Sequence, residues 1–325
     1  MEKQIKVEKY LSASRIKLLE TCSWLYWARY HLNMPDKSND GARRGTICHL
    51  IFELLLTKRH KKHFTSMMKH EGLDGSPAID RLIKKHLDKQ QMHTQENYEM
   101  IRNMIWVGIS NDFYGNGGKI GGAEAEFEIA NENPKYKIKG FIDKHILYAG
   151  GKEVKIVDYK SSKARFKGEE LFSNVQAMMY TLAGRTLWPK AKKATVDFLF
   201  LRFPKQPVQS LEFSDEQIKG FEAYLGHLYK IINNFTEKSA VANFAYDSDK
   251  SKWLCQAGAT WVCPLKRSFK YFALKDAAGT VIKCSMEDDL KAKSGEKVEA
   301  LTYEGCPRFS NTAVAKTNQH DPFDF

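Results

Sequence analysis

Between residues 123 and 160 three segments in succession read as β-strands: AEAEFEIA, which alternates apolar and polar, then YKIKGFIDKHILY, then KEVKIVDYK. Ala149-Gly150-Gly151 separates the last two and suits a tight hairpin, which makes them antiparallel neighbours. Side chains two apart in a strand share a face. In the last segment Val154, Ile156, Asp158 and Lys160 therefore line one side, and Lys155, Val157 and Tyr159 the other. A side that begins apolar and ends in an acid and a lysine is an odd finish for a strand facing a core. A solvated ion pair at a strand end is the plain explanation. The hairpin weakens it, because pairing can bring Asp143 of GFIDKH next to Asp158. Two carboxylates at one strand edge repel unless a cation sits between them. Hard oxygen ligands are what Mg²⁺ or Mn²⁺ takes. Lys160 alongside is placed to position or activate a water and to offset charge on a phosphate.

The flanking segments set these strands in an α-β-β-β-α-β order. Ser12 or Ser14 can cap a helix running through IKLLETCSWLYWARY, and a loop follows at Pro35 and DKSNDG. TICHLIFELLLTKR reads as a buried helix, whereas residues 77–110 show only broken helical periodicity. After the strands, LFSNVQAMMYTLAGRTLW returns to helical spacing and ATVDFLFLRF reads as a buried strand. SDEQIKGFEAYLGHLYKIINNF is an amphipathic helix with Ser214 as its cap, and KYFALKDAAGTVIKC is a second hairpin.

Two helices add polar groups at fixed spacing. In RRGTICHLIFE, His49 and Glu53 are four apart and share a helix face, with Gly45 one turn earlier. A lone helical histidine is usually a packing residue. Added to a two-Asp site, an imidazole favours Mn²⁺ more than an all-oxygen set does. In NVQAMMYTLA, Gln176 and Tyr180 repeat the four-residue spacing, and a core-facing Gln176 would need a polar partner.

Taken in order, Gly45…His49…Glu53, Gly140…Asp143, Asp158-Tyr159-Lys160 and Gln176…Tyr180 resemble the RecB-type branch of the PD-(D/E)XK nuclease superfamily. The resemblance covers residues from about 10 to 205; Ile142 stands where the superfamily's name has a proline. It implies an α/β fold, a central mixed sheet flanked by helices, with N-terminal helices and a small Cys-containing C-terminal region. The corresponding divisions are residues 1–40, a nuclease core over 41–245 with a helical insertion at about 60–115, a Cys-containing region over 246–310, and a tail over 311–325. It implies that His49, Asp143, Asp158 and the Tyr159 carbonyl bind Mg²⁺ or Mn²⁺, that Lys160 serves the water, and that Gln176 and Tyr180 order the site and the DNA strand. Glu53 and Glu126 are further candidates. The implied activity is hydrolysis of DNA phosphodiesters, with exonucleolytic action on single strands or ends, in recombination, repair or replication and in a phage or other mobile element. The alternatives are a DNA-end-binding or recruiting protein with vestigial cleavage, and an RNA-processing or structure-specific endonuclease on the same scaffold.

Some members of that branch hold a 4Fe–4S cluster on one Cys after the first helix and three near the C-terminus. Cys22, Cys255 and Cys263 are the candidates here, although the spacing departs from that pattern and no C-x-x-C occurs. Reduced, packed thiols are the alternative, as for Cys48 beside His49. The net charge of +12 suits a polyanionic partner without naming a reaction. No apolar run is long enough for a membrane helix, and the N-terminus lacks the apolar core of a signal peptide, so an intracellular protein is expected. The terminal HDPFDF, within residues 320–325, resembles the acidic, Phe-ended tips that dock replication partners. A solvated tail is the alternative.

Overall fold

The computed structural model describes residues 9–35, 39–256 and 263–309. The chain forms two units, one of residues 38–226 and one that joins residues 1–37 to 227–325. The expected first helix is in fact two. Ser12 caps α1 (Ala13–Thr21) by accepting from the Arg15 N–H at 3.2 Å. Cys22 then turns extended, with φ −164°, before α2 (Ser23–Tyr30) starts. The break is held by the Ser23 N–H, which bonds to the Asn243 carbonyl at 2.7 Å instead of continuing the helix.

The unit of residues 38–226 opens with α3 (Asp40–Leu56), capped by the Asn39 side chain on the Ala42 N–H at 3.0 Å. Residues 60–115 hold α4 (Lys61–Lys69), α5 (Pro77–Lys89) and α6 (Gln95–Ser110). Ser76 caps α5 ahead of Pro77, and Ile79, Ile83 and Leu87 bury one face at four-residue spacing. A long hairpin follows, β1 (Lys119–Glu132) and β2 (Lys135–Tyr148), then β3 (Glu153–Lys160), α7 (Val175–Leu187), β4 (Lys193–Phe200) and β5 (Val208–Leu211). The five strands lie in sequence order in one sheet. β3 and β4 run parallel, the pairing that the α7 crossover permits, and the other pairs are antiparallel. The sheet is therefore mixed and flanked by helices, as expected.

Both faces of β3 are covered, as befits a central strand. Val157 and Tyr159 pack with Ile47, Ile51 and Phe52 of α3 and Ile105 of α6. On the other face α7 lies so close that a Cβ on Gly184 would be 3.3 Å from Ile156 and 3.4 Å from Val154. Full burial of each such aliphatic or aromatic side chain is worth about 1.5–3 kcal/mol, so the strand is clamped between the two layers.

The division between units falls within α8 (Asp215–Asn233), where the Ser214 hydroxyl accepts from the Gln217 N–H at 3.2 Å. The other unit continues with α9 (Glu237–Ala240) and a three-stranded antiparallel sheet of β6 (Phe269–Lys275), β7 (Val281–Ser285) and β8 (Lys297–Tyr303), with β6 central. β6 and β7 are the second expected hairpin. Among the described residues no helix is long and apolar enough to cross a membrane. The HDPFDF tail lies outside the described residues.

Candidate active site

Regular pairing of β2 with β3 ends at Lys144 opposite Val157. One step further, Asp143 Oδ2 accepts from the Tyr159 N–H at 2.8 Å, so a carboxylate takes the place of a ladder carbonyl. This puts Asp143 and Asp158 side by side where the strands part. Asp158 is only 4% exposed, although it is charged and ends a core strand. Its Oδ1 accepts from Gln176 Nε2 at 2.8 Å and from the Tyr180 hydroxyl at 2.9 Å. Its Oδ2 lies 2.7 Å from Lys160 Nζ yet accepts no hydrogen bond, so the contact is an ion pair at poor angles. Burial pushes the Asp158 carboxyl up; the Lys160 charge opposes this and the Asp143 charge reinforces it.

α7 supplies the bracing. Asn174 caps it by accepting from the Ala177 N–H at 3.0 Å, which fixes Gln176 in the first turn. Gln176 Oε1 accepts from Lys160 Nζ at 2.7 Å while Nε2 donates towards Asp158 and, at 2.9 Å, Tyr180. The Tyr180 hydroxyl also lies 2.9 Å from the Phe141 carbonyl. The polar partners that Gln176 required are therefore Asp158 and Lys160. Burial, then the Asp158 and Asp143 charges, push the Tyr180 hydroxyl well up, which keeps it a donor.

α3 closes the site from the opposite layer. His49 Nδ1 is 3.3 Å from Asp143 Oδ1 and Nε2 is 3.1 Å from the Tyr159 carbonyl. Burial pulls the His49 imidazole down, but the Asp143 hydrogen bond and the Asp143 and Asp158 charges outweigh it and leave it raised. Both motif glycines have steric reasons. A Cβ on Gly45 would come within 2.8 Å of Ser161 Oγ, so the glycine lets α3 approach the end of β3. A Cβ on Gly140 would come within 2.6 Å of the Phe127 ring, which packs edge-on to Tyr180 with centroids 6.3 Å apart.

An open groove of about 550 Å³ runs along α3 past Gly45, His49, Glu53 and Ser161. Glu53 thus lines the approach to His49. Glu126 does not: its carboxylate is 2.8 Å from Lys139 Nζ, on the exposed side of the hairpin. Glu124 lines the groove instead, on backbone with φ 45° just beyond the irregular pairing between Ile120 and Gly122. Among the described residues no group of three or more His, Cys, Asp or Glu side chains is arranged to hold a metal ion. Mg²⁺ seldom uses a dedicated protein cage, since it keeps waters and is held by one or two carboxylates. By donor chemistry, two carboxylates, a carbonyl and an imidazole at one strand edge suit such an ion.

The unit of residues 1–37 and 227–325 gathers four thiols. Cys22, Cys255, Cys263 and Cys306 line one pocket, together with Trp24 and Lys266. Burial pushes the Cys263 thiol up to about 11 and the Cys306 thiol up to about 12, and the neighbouring sulfurs add to both. Sequence spacing missed Cys306 because it arrives from beyond β8. Cys48 is fully buried in the core of the other unit.

The family profile of the PD-(D/E)XK nuclease superfamily matches residues 10–267. No curated protein matches. Among solved structures, the chain is similar to a protein from Eubacterium rectale put forward as an exonuclease. They share 13% identity over 75% of this chain and 87% of that one, with a TM-score of 0.46. A Vibrio cholerae protein matches at 8% identity over 60% of this chain and 58% of its own, with a TM-score of 0.22. With the family profile spanning most of its length and the two acids, lysine, glutamine and tyrosine assembled in one site, this chain belongs to the PD-(D/E)XK nuclease superfamily.

Proposed function

We propose that the protein is a divalent-metal-dependent deoxyribonuclease that acts as an exonuclease on single-stranded DNA or DNA ends, in recombination, repair or replication inside the cell. One observation carries the reading: Asp143 and Asp158 share a strand edge with Lys160, and Lys160 Nζ is held 2.7 Å from Gln176 Oε1. His49, Asp143, Asp158 and the Tyr159 carbonyl would hold the ion. When bound, Mg²⁺ or Mn²⁺ neutralises charge on the scissile phosphate and makes a bound water a better nucleophile. Lys160 orients the water and sets a positive charge beside the phosphate oxygens. Gln176 and Tyr180 keep Lys160 and Asp158 in register, and His49 keeps Asp143 turned inward. Digestion of end-labelled linear, end-blocked and circular DNA tests the reading. Mononucleotides or short products from free ends alone support an exonuclease. Nicked circles with no end requirement point to the endonuclease, and uncut DNA that is still bound points to an end-binding protein.

The pocket of four thiols supports a second centre, a 4Fe–4S cluster on Cys22, Cys255, Cys263 and Cys306. Four thiols on one pocket match in number the four thiolates that such a cluster takes. Anaerobically purified protein should be brown and contain iron, and Cys306→Ser should lower the iron content. Colourless, iron-free protein rejects the cluster.

A further inference from the structure

Large apolar side chains that stay exposed on a folded unit call for a reason when they lie beside a reaction centre. Among the described residues of the 38–226 unit, the exposed Phe, Tyr and Trp rings are Phe141, 54% exposed, and Phe172, 70% exposed. Both belong to segments that carry the active site. Phe141 lies two residues before Asp143, and its carbonyl is 2.9 Å from the Tyr180 hydroxyl, which itself is 2.9 Å from Asp158 Oδ1. Along this part of β2 the alternate residues Ile138 and Ile142 are fully buried, so Phe141 stands outward by the pleat itself. Its cross-strand neighbour is Glu126, whose carboxylate is engaged by Lys139, so no apolar partner on β1 covers the ring. Phe172 closes the short turn Gly168–Leu171, two residues before the Asn174 cap that sets Gln176. The same connection from β3 to α7 carries exposed Lys163 and Lys167, with exposed Glu169 and Glu170 between Lys167 and Phe172.

We infer that Phe141 and Phe172 are stacking platforms that select unpaired bases next to the scissile phosphate. Bases in a duplex are already stacked and offer no free face to the rings, whereas bases of a single strand do. Aromatic platforms combined with cationic side chains are how proteins hold single strands without reading sequence. Lys163 and Lys167 supply the phosphate attraction. The two rings supply the discrimination of strand state, which charge alone cannot give.

The inference rests on the nuclease reading and is tested so that the two can fail separately. Anisotropy is measured in Ca²⁺ with a labelled oligo-dT strand and with an abasic strand of equal length and charge, which cannot stack. Wild-type protein should prefer oligo-dT by roughly tenfold, near the low end of what one stacked base is worth. Phe141→Ala should erase most of that preference and leave abasic binding within about twofold. Phe141→Trp should restore it, with tryptophan fluorescence quenched by oligo-dT and not by the abasic strand. Phe172→Ala should act in the same direction. An unchanged preference in both alanine variants overturns the proposal, and so does an equal loss on both strands. A parallel Mn²⁺ digest separates the readings. Wild-type cleavage with no effect of either alanine variant on preference removes the platform alone, and absence of wild-type cleavage removes the nuclease reading and the platform with it.

Discussion

Tyr180→Phe removes a single oxygen and leaves the ring packed edge-on to Phe127. That oxygen lies 2.9 Å from each of Asp158 Oδ1, Phe141 O and Gln176 Nε2. It accepts from Gln176 and has one proton to give, so it serves one of the two remaining acceptors at a time. The carboxylate is charged and buried and is the stronger acceptor. A hydrogen bond to such a group is worth about 1.5–3 kcal/mol, which is roughly a 10- to 100-fold change in an equilibrium. Without it, Asp158 keeps only Gln176 on Oδ1, and the carboxylate becomes a poorer and less well-aimed ligand. Cleavage of a labelled oligonucleotide at low Mn²⁺ should therefore fall by roughly 10- to 100-fold. Raising the Mn²⁺ concentration should recover much of that rate, while the melting temperature falls by a few degrees. A variant with the wild-type Mn²⁺ dependence would show that the Tyr180 hydroxyl does not support Asp158, and the bracing role assigned to α7 would be wrong.

Gly45→Leu should lower cleavage at least about tenfold, because a side chain there meets Ser161 and lifts α3, with His49, off Asp143 and the Tyr159 carbonyl. Gly45→Ala combined with Ser161→Ala should recover most of the rate, and failure to do so would separate the glycine from this contact. His31, stacked on Trp27 with centroids 4.3 Å apart, has its imidazole pulled down to about 4 by burial and by the Arg15 and Lys9 charges. The unfolded chain binds that proton near pH 6.5 and the folded one does not, so stability falls as pH drops from 6.5 towards 4. After allowing for its part exposure this amounts to about 1–2 kcal/mol, and His31→Phe should flatten the loss of melting temperature between pH 7 and 4.5; an unchanged pH slope would refute it. EDTA should stop cleavage, and Mg²⁺ or Mn²⁺ should restore it; cleavage that persists in EDTA after dialysis would remove the metal from the account.

The strand ending in Asp158-Tyr159-Lys160 was legible because a two-residue period and an apolar start define its faces without tertiary information. Asp143 followed from the hairpin, whose turn at Ala149–Gly151 is local chemistry. Gln176 and Tyr180 were legible as one helix face, and their place at the site was implied by the family resemblance. Glu126 stood out from the sequence and Glu124 did not, although both are glutamates on one strand. The irregular pairing near Gly122 and the left-handed backbone at Glu124 decide which lines the groove. α5 was obscured because lysines and a histidine crowd its narrow buried stripe, and α6 because its apolar run from Met104 to Ile109 blurs the helical period. Cys306 was invisible as a partner of Cys22, because only the sheet of β6, β7 and β8 brings the two segments together. The break at Cys22 had no helix-breaking residue to announce it; a tertiary bond to Asn243 makes it.

The measurement that bears most directly on the assigned chemistry is single-turnover cleavage of an end-labelled oligonucleotide by saturating Lys160→Ala and Asp158→Ala protein in Mn²⁺, with DNA binding followed in parallel. If affinity comes from many basic phosphate contacts and these two side chains act on the reacting phosphate, as proposed, both variants should bind and neither should cut. Near wild-type cleavage by either variant would contradict the site, and with it the proposal that this superfamily member hydrolyses DNA through the edge shared by β2 and β3.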